Sequence, residues 1–165
     1  MKLSLNYYKS PDNYRGEDVI LASNDGSGGG VLPPIEPEPL ACSISLTTDG
    51  VISWGTLPLS ELEPGKLASA SARVSCSGGT EGTATARLTF SSINGRNNVV
   101  EMKNNDGDVI PSKLVMSSTG ESNIAYFTVR DGYTNVHTFH ARIQPYNIST
   151  YGEFKGSGLL KVEVL

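Results

Sequence analysis

From Cys42 onward, apolar residues recur at every second position, and the stretches between these runs are turn signals. Ala84, Ala86, Leu88 and Phe90 alternate with Thr83, Thr85, Arg87 and Thr89. Ala68, Ala70, Ala72, Val74 and Cys76 do the same, as do Phe139, Ala141 and Ile143, and then Leu160, Val162 and Val164. A period of two belongs to a strand with one buried face and one wet face. No window of helical period rivals it, and Leu57 to Leu67, interrupted by Pro58 and Pro64, allows at most a single turn.

Turn chemistry at Asp49-Gly50, Ile93 to Arg96, Asn104 to Asp108 and Asp131-Gly132 separates the alternating runs. Eight or so short strands over about 125 residues predict an all-β, immunoglobulin-like β-sandwich. The two cysteines fall on its early strands. Cys42 opens Cys42 to Leu46, and Cys76 closes Ala68 to Cys76. A lone pair on neighbouring strands suits a disulfide made outside the cytoplasm, and closing a loop of that length removes roughly 3–4 kcal/mol of chain entropy from the unfolded state. Two buried free thiols are the other reading of the same spacing.

At 165 residues the chain is expected to form one domain with a tail to spare. Its 38% hydrophobic and 18% charged residues are both low; Ser, Thr, Gly and Asn fill the difference, as on exposed strand faces. A net charge of -4 argues against a nucleic-acid partner, which needs a basic stripe. No apolar run approaches the roughly 20 residues of a membrane span. Met1 to Lys9 lacks the apolar centre of a signal peptide, so a secreted form is expected to carry its signal upstream.

Composition breaks between residues 24 and 40. Asn24 to Gly30 is Gly-rich, and Val31 to Pro39 holds Pro33, Pro34, Pro37 and Pro39, which excludes a central strand. This reads as a linker; an ordered proline-rich edge is the alternative. Residues 1–23 carry two short strand patterns, Leu3 to Tyr8 and Asp18 to Ala22, too little to bury a core of their own. They pack on the main domain, residues 41–165, or end a preceding one.

Chemistry-bearing constellations are sparse. His137 and His140, three apart on a strand, face opposite ways, which weakens both general-base and metal-ligand readings. Asn104 to Asp108 lacks the closing glutamate of a calcium loop and sits between strands, so it reads as a hairpin. Asn147-Ile-Ser149 fits a glycosylation acceptor, a pattern short enough to arise by chance. Trp54 reads as core. Neither a catalytic residue, a metal nor a cofactor is expected.

Several separate stretches resemble one family. Cys42 precedes the Trp-Gly stretch Ile52 to Leu57; Cys76 ends Val74-Ser-Cys76; Phe139 to Ile143 leads into Gly152 to Gly158 and a closing alternating strand. In order and spacing these resemble the pilin domain of chaperone–usher fimbrial subunits, over about three quarters of the chain. The resemblance implies an immunoglobulin-like sandwich lacking its last strand, with a groove filled first by a periplasmic chaperone and then by a neighbouring pilus subunit, delivered through an outer-membrane usher. It implies a place on an extracellular fimbrium, reached via the periplasm, and a role in cell adhesion. Leu160, Val162 and Val164 would form a groove wall, and Leu165 would meet the chaperone.

Two departures bear on role. The position before last is Val164 where the family has an aromatic residue, and the stretch before Cys42 is proline-rich where the family has a donor strand. The second suits the pilin domain of a tip adhesin, which binds a host receptor through a preceding domain, Val31 to Pro39 being the link. Alternatively, Leu3 to Tyr7 or Val19 to Leu21 is a donor strand on a long spacer. Outside the family, a self-contained extracellular binding module would show a complete sheet and an aromatic-lined site, with Tyr126, Tyr133, Tyr146 and Tyr151 as candidates.

Overall fold

In the computed structural model the described residues are 2–9 (as backbone), 38–47, 49–79, 82–93, 97–147 and 151–165. The Asp18 to Ala22 strand, the Gly-rich part of the linker and all of it up to Pro37, the Ile93 to Arg96 turn beyond Ile93, and the Asn147 acceptor beyond its asparagine lie outside them.

The described chain is all-β. Its strands are β1 (Lys2–Lys9), β2 (Ala41–Leu46), β3 (Val51–Thr56), β4 (Leu67–Ser77), β5 (Ala84–Ser92), β6 (Val99–Lys103), β7 (Val109–Val115), β8 (Ile124–Val129), β9 (Thr134–Ile143) and β10 (Glu153–Val164). Between β3 and β4 the proline-flanked stretch makes one 3-10 turn, Leu59–Glu61, as its prolines require.

Hydrogen bonds link the strands in the order β2-β4-β9-β7-β6-β10-β1-β3, with β5 on β10 and β8 on β5. This fits a β-sandwich: β2, β4, β9 and β7 form one layer, β3, β1, β10, β5 and β8 the other, and β6 bridges them. The alternation decides which faces meet. In β4, Ala68, Ala70, Ala72, Val74 and Cys76 are all buried; so are Ala86, Leu88 and Phe90 of β5 and Phe139, Ala141 and Ile143 of β9. Phe90 meets Phe139 edge-on across the layers, with ring centroids 4.9 Å apart. Trp54 joins this core and donates its indole N–H to the Lys66 carbonyl at 3.2 Å.

The Asn104 to Asp108 stretch is the β6–β7 hairpin. Asn104 Oδ1 accepts the N–H groups of Asp106 and Asp108 at 3.0 and 2.8 Å, its Nδ2 donates to Asp108 Oδ2 at 2.9 Å, and Gly107 supplies a φ of 86°. Sequence reading begins the next strand at Lys113; β7 begins at Val109 and runs through Pro111. The proline is tolerated because its nitrogen lies at the end of the β7–β9 ladder, where its carbonyl accepts from Gln144 N–H at 2.9 Å.

Candidate functional site, the gap between the third and last strands

β10 is bordered on one side by β6, at Lys155, and then by β5, from Gly158 to Val164. On its other side lies β1, the most distant strand in sequence. β1 runs parallel to β10, with Leu3 opposite Phe154, Leu5 opposite Gly156, Tyr7 opposite Gly158 and Lys9 opposite Leu160. It runs antiparallel to β3, with Leu5 opposite Ile52 and Lys2 opposite Thr56. Among the described residues, without β1 no ladder joins β3 to the rest of the layer.

The local sequence suits that place. The alternation Leu3-Ser-Leu-Asn-Tyr7 puts its apolar members in register with the core-facing positions of β10: Phe154 and Leu160 are fully buried, and Gly156 and Gly158 stand between them. Glycines inside a central strand mark a close approach. At Gly158 an added Cβ would lie 2.9 Å from Phe90 Cε2 and 3.4 Å from the Ser91 carbonyl. The β1–β3 ladder shifts register between Leu3 and Ser4, beside Gly55 with its φ of 75°.

The predicted groove residues occupy three different settings. Leu160 is buried at the end of the β1 ladder. Val162 is buried and Val164 half-buried; they pair with Leu88 and Ala86 of β5, beyond the reach of β1. Leu165 N–H donates to the Thr85 carbonyl at 2.9 Å, so Thr85 and Leu165 are a hydrogen-bonded pair and the backbones of Val162 and Val164 turn away from β5. On that side no strand is paired with them among the described residues. Leu165 itself is exposed. Sequence reasoning quoted the Ile52 to Leu57 and Gly152 to Gly158 stretches for the resemblance but did not assign Ile52, Phe154, Gly156 or Gly158 to the gap beside β1; the Gly-x-Gly inside an apolar alternation was the available signal.

On the outer face beside this gap, Glu163 accepts from Arg87 Nε and Nη2 at 3.0 and 2.6 Å and from Lys161 Nζ at 2.5 Å. Lys161 first, then Arg87, hold its carboxyl below the usual range.

Cys42 and Cys76 are joined by a disulfide between β2 and β4. The histidines do face opposite ways. His140 Nδ1 meets Ser69 Oγ at 2.6 Å on the outer side, whereas His137 Nε2 meets the Tyr133 hydroxyl at 3.0 Å and its ring lies 4.3 Å from that of Phe127. The four tyrosines do not converge: Tyr133 stacks on Phe127, Tyr146 donates its hydroxyl to the Leu62 carbonyl, and Tyr126 of β8 and Tyr151, ahead of β10, are exposed. Among the described residues no group of three His, Cys, Asp or Glu side chains is placed to hold a metal ion.

The chain matches no protein-family model and no curated protein.

Proposed function

We propose that this chain is a structural subunit of a chaperone–usher fimbria, whose immunoglobulin-like pilin domain depends on a strand supplied from outside its contiguous fold. The observation that carries the reading is β1, seated between β3 and β10 although sequence-remote from both. A parallel neighbour demands a long crossover, and nothing local to the sandwich dictates which molecule provides it. A strand held on such a tether is one that a chaperone or a neighbouring subunit can replace. The role is assembly and adhesion rather than catalysis, in an oxidising compartment consistent with the disulfide.

Of the two readings of the N-terminal segment, the pairing of Leu3 to Tyr8 supports a strand over the end of a preceding domain. The tip-adhesin role, with a host receptor bound through such a domain, loses ground accordingly. A self-contained extracellular binding module is the second reading, favoured by the same self-filled gap; the scatter of Tyr126, Tyr133, Tyr146 and Tyr151 speaks against its aromatic site.

The test is co-expression in a bacterial periplasm of the chain lacking residues 1–9 with a fimbrial chaperone. A stoichiometric complex, dissolved when a β1 peptide is added, is expected. A shortened chain that folds and stays monomeric without the chaperone, and ignores it, contradicts the proposal.

A further inference from the structure

The free edge of β8 is a second surface, unconnected with the gap that β1 fills. Among the described residues β8 pairs with β5 alone. Phe90 N–H donates to the Asn123 carbonyl at 2.9 Å, which makes that pair hydrogen-bonded, and the alternation extends to Leu88–Ala125, Ala86–Phe127 and Ala84–Val129. The backbone groups of Ile124, Tyr126 and Thr128 therefore face outward.

At Ile124 both are engaged locally: the Ser122 hydroxyl accepts its N–H and donates to its carbonyl, each at 3.1 Å. Those of Tyr126 and Thr128 meet no partner among the described residues.

Edges are ordinarily guarded by charge, proline, a bulge or a covering element. β3 has its register shift. Among the described residues Ile124-Ala-Tyr-Phe-Thr-Val129 has none of these; it is uncharged, aromatic and β-branched, and its Tyr126 is 61% exposed.

We propose that this edge pairs with β8 of a second copy of the chain, antiparallel about a two-fold axis at Phe127. Tyr126 then stands opposite Thr128 of the second copy and Thr128 opposite Tyr126, and the two hydrogen-bonded pairs exchange four bonds. Ala125 faces Val129, Ile124 faces Arg130, and no like charges meet. Tyrosine opposite a β-branched residue is a favourable cross-strand pair. A free peptide would have to be ordered for the same four bonds, whereas the strand of a second copy is already in place. The pairing closes on itself, covering both edges and stopping at a dimer.

Sedimentation equilibrium of the whole chain from micromolar to millimolar concentration tests this. A reversible monomer–dimer equilibrium is expected. Thr128→Pro removes an outward N–H that β5 does not use, and Tyr126→Lys puts charge on the edge; each should weaken dimerisation by about tenfold or more. Ser45→Lys, on the edge of β2, should leave it unchanged. Circular dichroism of each variant establishes that it is folded, and Tyr126→Lys decides if Thr128→Pro is not. A chain monomeric throughout, or a dimer indifferent to the folded β8 variants, as exchange of β1 or pairing elsewhere would give, overturns the proposal.

Discussion

Cys42 and Cys76 stand directly opposite each other across the β2–β4 ladder, 4.0 Å apart at Cα. The Cys76 backbone is turned the other way: its N–H donates to the Tyr133 carbonyl at 2.8 Å and its carbonyl accepts from Gly132 N–H at 3.0 Å. The pair is therefore a non-hydrogen-bonded one, the closer of the two kinds. At this end of the ladder the disulfide takes the place of backbone bonds in fastening β2, an edge strand, to β4.

Replacing both cysteines by serine should cost about 3–4 kcal/mol for the 34-residue separation, on the chain-entropy account, and sharply cut recovery of folded protein. Urea unfolding with and without reductant measures it. Near-normal yield and midpoint would show that the bond does not hold β2.

Gly158→Ala should destabilise the fold by about 1–3 kcal/mol. The new methyl would press on Phe90, which is fully buried and held against Phe139, and on the Ser91 carbonyl, so neither neighbour gives way readily. Thermal unfolding reads the loss; an unchanged melting temperature would mean that β10 sits further from β5.

Ser112 lies fully buried on the inward face of β7, and its hydroxyl has no hydrogen-bond partner among the described residues. Ser112→Ala removes an unpaid desolvation and should leave stability unchanged or raise it by up to about 1 kcal/mol. A loss of that size in urea unfolding would reveal a partner for the hydroxyl.

Acid should weaken the fold before any carboxylate titrates. Burial among Phe127, Tyr133 and Ala72 holds the His137 imidazole below the ordinary histidine value of 6.5, and burial with Arg142 nearby does so for His140. The unfolded chain then takes up protons first, so stability present above that value is lost as pH falls through it toward the lower folded values. Glu163 and Glu121, both held low by cationic partners, add a second loss on passing below the ordinary 4.5. Urea midpoints across the acid range should fall more shallowly for His137→Phe than for the natural chain; equal slopes would contradict the histidine's part.

Much of the layer pattern was legible because alternation reports burial residue by residue. β4 and β5 were read nearly to their ends from Ala68 to Cys76 and Ala84 to Phe90, whereas the runs Phe139 to Ile143 and Leu160 to Val164 mark only the C-terminal parts of β9 and β10. The start of β7 was missed because Pro111 reads as a strand breaker until it is known which edge its nitrogen meets. Leu3 to Tyr8 was legible as a strand, and the resemblance offered it as one alternative filler of the last strand's groove, but its register was not legible: pairing with residues 153–160 depends on closure across the whole chain, which local pattern does not encode. For the same reason the gap was expected along Leu160 to Val164, while the ladder with β1 runs from Glu153 to Leu160.

The central claim is that β1 completes the layer between β3 and β10. Deleting residues 1–9 and following unfolding, with and without a peptide of the β1 sequence, tests it most directly. The shortened chain should be strongly destabilised or aggregate, and the peptide should restore its unfolding midpoint in a concentration-dependent way. A shortened chain as stable as the whole one, and indifferent to the peptide, would contradict it.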